Sequence, residues 1–243
     1  MVAVGTAGWA MPRAIAGRFP AEGSQLTRYA ARFDAAEINS SFYRPHRPQT
    51  YARWAASTPA HFRFAVKLPR AITHERRLAG GEALLSAFLD EVAGLEGKLG
   101  PILVQLPPSL ALEPATAERF LRDLRRRFPG LVACEPRHAS WFAPDAGRLL
   151  REYGVARVAA DPARVPEAAE PGGASDLLYV RLHGSPRIYF SPYAPDALDR
   201  WAALIAASPA ADRWCVLDNT AHGHAAADAL EMQARMSALS AAR

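Results

Sequence analysis

The stretch "LVACEPRHASWF", residues 131–142, runs from an apolar segment straight into a Glu, an Arg, a His and a Trp. A short apolar run bounded by a polar break reads as a buried strand, and closed α/β barrels carry their chemistry just beyond such strand ends. Whether this is a barrel depends on how often the unit recurs. Comparable runs lie at 2–7, 35–39, 62–67, 101–106, 155–161, 177–183 and 214–218. Between them come segments with helical spacing, such as "SQLTRYAARF", "GGEALLSAFLDEVAGL", "PATAERFLRDLRRRF" and "PDALDRWAALIAAS", several opened by a Ser, Pro or Asp cap.

Eight such alternations predict an α/β fold, a single TIM (β/α)8 barrel, over one domain spanning 1–243. The sixth unit is the irregular one, because "PARVPEAAEPGGASD" is too rich in Pro and Gly for a full helix. No Gly-rich phosphate loop follows the first strand, which argues against a dinucleotide-binding fold. The 243 residues, half of them hydrophobic, suit one barrel in length and core size.

A net charge of +5 and a pI near 9.5 favour anionic partners, phosphate esters or nucleic acid, although a basic surface alone gives the same balance. The cysteines Cys134 and Cys215 both sit inside apolar runs and read as buried thiols in a reducing compartment. Neither a disulfide nor a zinc site is expected. The N-terminal "MVAVGTAGWAMPR" lacks a signal-peptide pattern and no stretch is long enough to span a bilayer, so a cytoplasmic protein with no membrane partner is expected.

Successive strand residues face opposite ways, and the helix-facing set of a barrel is the more apolar one. Phe62, Phe64 and Val66 are therefore assigned outward and Arg63, Ala65 and Lys67 inward. The same rule turns Glu37, Asn39, Glu135, Tyr179, Arg181 and His183 inward, and with them Arg157 and Asp161. Gln105 and Asn219 follow by the same parity. Buried charges must be paired or hydrogen-bonded, because an isolated one costs several kcal/mol. Cations and carboxylates converging at strand ends suit an enzyme that holds an anion and moves protons; the competing reading is a salt-bridge network that only fills the barrel.

With the strands placed, the segments at their ends form an ordered set: "GTAGW", "EINSSFYR", "FRFAVKLPRAITHERR", "QLPPS", "EPRHASWF", "AAD", "YVRLHG" and "DNTAHGHAAADAL". In these, and over essentially its whole length, the chain resembles the YecE-like family (domain of unknown function seventy-two), uncharacterised TIM-barrel proteins of bacteria and archaea. The resemblance implies the barrel fold and supplies candidate site residues without a reaction. Where the family carries extra aromatics in its first loop this chain has Met11 and Ala14, which leaves Trp9 as the stacking residue there.

Glu135, Asp161, Glu37 and Lys67 are the candidate catalytic residues, with Glu135 and either Asp161 or Glu37 as acid and base. Arg181, Lys67 and Arg70 would hold an anion, and Lys67 is alternatively a Schiff-base amine. Further candidates for substrate binding are Trp9, Asn39, Tyr43, His74, Gln105, Arg137, His138, Trp141, His183, Asp218 and Asn219. Trp141 reads as a stacking wall or lid, or else as helix packing, with Arg137 then simply paired to Glu135. Arg76 and Arg77 read as solvated.

No cofactor is expected. Glu37, Glu135, Asp161 and His183 have the chemistry for a divalent metal, but Lys67 and Arg181 in the same layer would repel it. The leading reading is an enzyme, a hydrolase, lyase or isomerase, acting on a small or oligomeric phosphate- or carboxylate-bearing substrate in an open pocket at the C-terminal face. The alternatives are a nucleic-acid-binding or metal-dependent nucleic-acid-processing barrel, and a non-catalytic ligand-binding or scaffold barrel.

Overall fold

In the computed structural model, which describes residues 2–241, the apolar runs form one sheet rolled into a barrel. Its strands are β1 (Val2–Ala7), β2 (Ala35–Ile38), β3 (Arg63–Lys67), β4 (Leu99–Gln105) and β5 (Val132–Glu135). They continue with β6 (Val155–Arg157), β7 (Ala159–Asp161), β8 (Gly172–Gly173), β9 (Leu177–Leu182) and β10 (Asp212–Leu217). Strands β1 to β6 pair in chain order, all parallel, while β1 also pairs with β10 and β10 with β9. The sixth strand is divided at Val158: β6 pairs with β5, and β7 pairs with β9, which brings the two ends of the sheet together.

Helices α1 (Gln25–Ala30), α2 (Ser40–Tyr43), α3 (Pro48–Ala56), α4 (Glu82–Val92), α5 (Pro114–Arg127), α6 (Pro144–Glu152), α7 (Pro195–Ala207) and α8 (His224–Ala241) follow in turn. Four of them, α3, α5, α6 and α7, start with Pro in the first turn, where its missing N–H costs no helical hydrogen bond. The sixth unit is irregular as its composition requires: a 3-10 turn at Pro166–Ala169 and the short antiparallel β8 take the place of an α-helix. Among the described residues no helix is long and apolar enough to cross a membrane.

Two apolar regions result from strand alternation. The larger, between sheet and helices, takes Ile38, Phe62, Phe64, Val66, Val132, Cys134, Leu178, Val180 and Leu182. The smaller fills the barrel, with Ala3, Ala35, Ala65, Ala133 and Ala156 on small-residue strands opposite the stacked rings of Tyr179 and Trp214, 6.1 Å apart. Both thiols are buried, as read from their surroundings.

The inward assignment fails in the sixth strand. Ala156, Val158 and Ala160 face the interior, so Arg157 and Asp161 point outward. The register with β5 (Ala133 beside Ala156) sets this parity, and Arg157 lies over the Phe142 ring at 5.0 Å. The more apolar face of this strand, Ala156, Val158 and Ala160, is the one that turns inward, opposite to the rule for helix-covered strands, in a unit that has no α-helix of its own.

Candidate functional site

Above the Tyr179–Trp214 layer, the next inward positions are Glu37, Lys67, Gln105, Glu135, Arg181 and Asp218, each buried at or beside a strand's C-terminal end. Arg181, 0% exposed, is the centre. Its Nε and Nη2 donate to the two oxygens of Glu37 at 3.1 and 2.7 Å, Nη1 donates to Glu135 Oε2 at 2.6 Å, and Nη2 also donates to Asp218 Oδ2 at 2.9 Å. The Tyr179 hydroxyl completes Glu37 at 2.8 Å. His183 bridges the other side, with Nδ1 3.0 Å from Asp218 Oδ2 and Nε2 3.0 Å from Glu135 Oε1. Arg137 donates to the same Glu135 oxygen at 3.1 and 3.2 Å and reaches the Tyr189 hydroxyl at 3.5 Å.

These contacts set the charge states. Burial alone would raise the Glu135 carboxyl, but Arg181, His183 and Arg137 hold it well below the usual carboxylate range. Asp218 is likewise lowered, against its burial, by Arg181 and His183. Burial lowers His183, yet Glu135 and Asp218 outweigh it and the imidazole is raised. A carboxylate held this firmly ionised is a poor proton carrier at neutral pH, so Glu135 serves the network better than it would serve as a general acid.

Lys67 differs from its neighbours. Its Nζ sits 4.1 Å from the centre of the Phe42 ring, and among the described residues no carboxylate lies within ion-pair distance of it. Burial, then Arg181, lowers the amine to about 8, against the pull of Glu37, Glu135 and Asp218. His74 packs on the same Phe42 ring at 4.9 Å and is lowered to about 4 by burial and by Lys67, Arg137 and Arg70.

The remaining predicted residues separate into groups. Trp9 is turned to the helix layer, edge-on to Trp54 and Phe64, because Phe64 is an outward position of β3. Trp141 is buried core and donates through Nε1 to Leu110 O at 3.0 Å, so it is neither wall nor lid. His138 caps the 3-10 turn that follows it, accepting from the Ser140 N–H. Arg70 is half-exposed and paired with Glu75. Asn219 follows the outward parity of Cys215 and Leu217, against its inward assignment, and donates to Ser191 O and Asp228 Oδ2, which ties the start of α8 to the loop after β9.

Gln105 donates to Leu106 O inside the barrel, and Asn39 Oδ1 is buried without a partner. Tyr43 is 72% exposed and borders a cavity of about 440 Å³ beside Phe42, Arg70 and Leu84. Asp161 lines a different cavity, of about 290 Å³, against Arg200 and Trp201 of α7. It does not face the interior with Glu37, Lys67 and Glu135.

The open pocket expected at the mouth is not formed by the network. The cavity touching Glu135, Arg137 and His183 is about 20 Å³, space for one water, and Ile188 from the loop after β9 is among the residues that line it. Sequence reasoning missed Tyr189 in that loop. It stands edge-on to His183 at 5.7 Å with a φ of +68°, a left-handed conformation rare for a bulky residue. The Gly- and Pro-rich "HGSPRIYFSPY" marked the loop but not which side chain it aims at the mouth. Among the described residues no group of His, Cys, Asp and Glu is arranged to hold a metal ion; of the carboxylates that had suggested one, Glu37 and Glu135 bind Arg181 and Asp161 faces outward.

Fold and site together define a TIM-barrel protein with a charged layer filling its C-terminal mouth. The chain belongs to the family described as "Protein of unknown function DUF72", whose model matches residues 3–242. It is 31% identical to the UPF0759 protein YecE of Escherichia coli (strain K12) over 154 residues, 61% of this chain and 56% of that one, so it spans little more than half of that relative's length. The UPF0759 protein YunF of Bacillus subtilis (strain 168) is 26% identical over 76% of this chain and 70% of its own. Among solved structures, a DUF72 family protein (EF0366) from Enterococcus faecalis V583 superposes with a TM-score of 0.82 at 21% identity, covering 98% of this chain and 96% of that one. Another, TM1631 from Thermotoga maritima MSB8, gives 0.81 at 23% identity, covering 98% and 99%. At these identities the structures establish the shared fold.

Proposed function

We propose that the C-terminal mouth is the active site of an enzyme acting on a small phosphate- or carboxylate-bearing substrate, with Lys67 as its reacting group. The observation that carries this reading is the state of Lys67, a buried cation at a strand end without a carboxylate partner, amid carboxylates already bound by Arg181, Arg137 and His183. With His183 protonated, the four cations Lys67, Arg137, Arg181 and His183 outnumber Glu37, Glu135 and Asp218 by one, and an anionic substrate would balance the difference. An amine near 8 is also suited to exchange protons around neutrality, which the ionised Glu135 is not. Arg181 is consumed by its three carboxylates, so its role in this scheme is to hold the layer in place and not to bind substrate.

The test is ligand-induced stabilisation of the full chain by a panel of small phosphates and carboxylates, compared with Lys67→Met. A melting-temperature increase in the unaltered protein that disappears in the variant is expected. Equal shifts in both proteins, or none with any anion, would reject Lys67 as the centre of the site.

A further inference from the structure

Of the 29 basic residues in the chain, only Lys67 and Lys98 are lysines; every other one is arginine. Where a fixed positive charge suffices, this sequence uses a guanidinium. Lys98 has a structural reason to differ: its Nζ donates to Ala55 O and Thr58 O, each at 2.6 Å, and to Thr58 Oγ1 at 3.0 Å. Three acceptors around one point suit a compact ammonium and not a planar fork.

Lys67 has no such reason. Its Nζ meets a ring face and, among the described residues, no hydrogen-bond acceptor, and a simple anion clamp would be served at least as well by arginine. What lysine offers here and arginine does not is the capacity to shed its proton and present a nucleophilic lone pair. The surroundings favour that form. The residue is only 8% exposed, His74 on the same ring is held neutral, and Arg181, the charge that most lowers the amine, is fixed in place by its own carboxylates. The cavity of about 440 Å³ is lined by Phe42, whose ring the Lys67 amine meets, and by Ser41, which donates to the Lys67 carbonyl; Lys67 itself is not part of its lining.

We infer that Lys67 is an amine nucleophile that forms an imine with the aldehyde or ketone group of a small carboxylate- or phosphate-bearing substrate. The inference rests on the reading of the mouth as an active site. The amine lone pair attacks the carbonyl carbon, a C–N bond forms as the C=O π pair moves to oxygen, and a proton passes from nitrogen to that oxygen. The nitrogen lone pair then forms C=N as the C–O bond breaks, and the oxygen leaves as water with a second proton. Amine plus carbonyl yields imine plus water, with no oxidant or reductant.

The presence of only two lysines makes the test clean. The full chain is incubated with cyanoborohydride and, separately, pyruvate, glyoxylate or dihydroxyacetone phosphate, and adducts are mapped by peptide mass spectrometry. Lys67 is expected to be labelled about tenfold or more faster than Lys98, whose ammonium is held by three acceptors. Labelling should persist in Lys98→Arg and vanish in Lys67→Arg. Labelling of Lys98 alone, equal labelling of both, or no adduct at Lys67 with any of the three probes overturns the inference. If anions stabilise the protein through Lys67 but no adduct forms, imine chemistry fails and the binding site stands; if neither is seen, both readings fail.

Discussion

Lys67 loses hydration on folding and gains no carboxylate in return, so the folded chain holds its ammonium form at a cost. The charged groups facing it, Arg181, Glu37, Glu135 and Asp218, do not offset that cost, because the amine falls from 10.5 to about 8. Between those two values the unfolded chain binds more protons than the folded one, so stability rises with pH across that window. The penalty is fully present below about 8 and disappears above the unfolded value. Lys67→Met is therefore expected to be more stable than the unaltered protein at neutral pH, by on the order of 3 kcal/mol. Denaturant melts at neutral and alkaline pH check this, the difference shrinking as pH rises. A variant less stable at neutral pH would mean that Lys67 has a packing role the contacts do not reveal. A residue that costs stability and stays at a strand end is the expected signature of function.

At the scale of an element, the sixth βα unit is where the barrel departs from regularity. Without a helix, β8 folds back as an antiparallel partner of β6, Ala156 opposite Gly173. Gly173 has φ +70°, and a Cβ there would lie 2.3 Å from the Val155 carbonyl oxygen, so only glycine allows the two backbones to approach. Gly173→Ala is expected to lose about 1–3 kcal/mol in denaturant melts. Because β8 lies away from the mouth residues, its response to anions should be unchanged. The α6 helix, next along the chain before β6, carries the bulk of the covering there through Leu150, which is fully buried.

Across the whole molecule, Arg181 joins β9 to Glu37 on β2, to Glu135 on β5 and to Asp218 just past β10. It is the central strut of the closed sheet. Arg181→Met would leave three buried carboxylates without their shared cation and is expected to cost about 3–5 kcal/mol. The sign with pH is fixed by the lowered carboxyls of Glu135 and Asp218: their stabilisation is present above the ordinary carboxylate range and is lost as pH falls through their folded values. The deficit of the variant should therefore narrow in acid, where protonation relieves the repulsion in Arg181→Met as it removes the attraction in the parent. Urea titrations of both proteins over that range measure it, and a constant deficit would show that lost packing outweighs charge.

Apart from the division of the sixth strand and the added β8, the sequence by itself determined eight strand segments, the chain order of the units, the irregular sixth unit and the inward turn of Glu37, Lys67, Glu135 and Arg181. Those follow from apolar periodicity and from the rule that a helix-covered face excludes charge, both local properties of the chain. It did not determine the facing of Arg157 and Asp161, because the rule that the more apolar face meets the helices points the wrong way in a unit with no α-helix of its own, and pairing with β5 sets the register. Nor could it decide which charges meet. Arg181 takes three carboxylates, two from distant strands and one from beside its neighbour β10, and leaves Lys67 with a ring face, and this outcome depends on side-chain lengths converging on one axis in three dimensions. Trp141 and Trp9 look alike in the sequence as loop tryptophans, yet the tertiary structure buries one and turns both from the mouth, since apolar rings go where helix and sheet leave space for them.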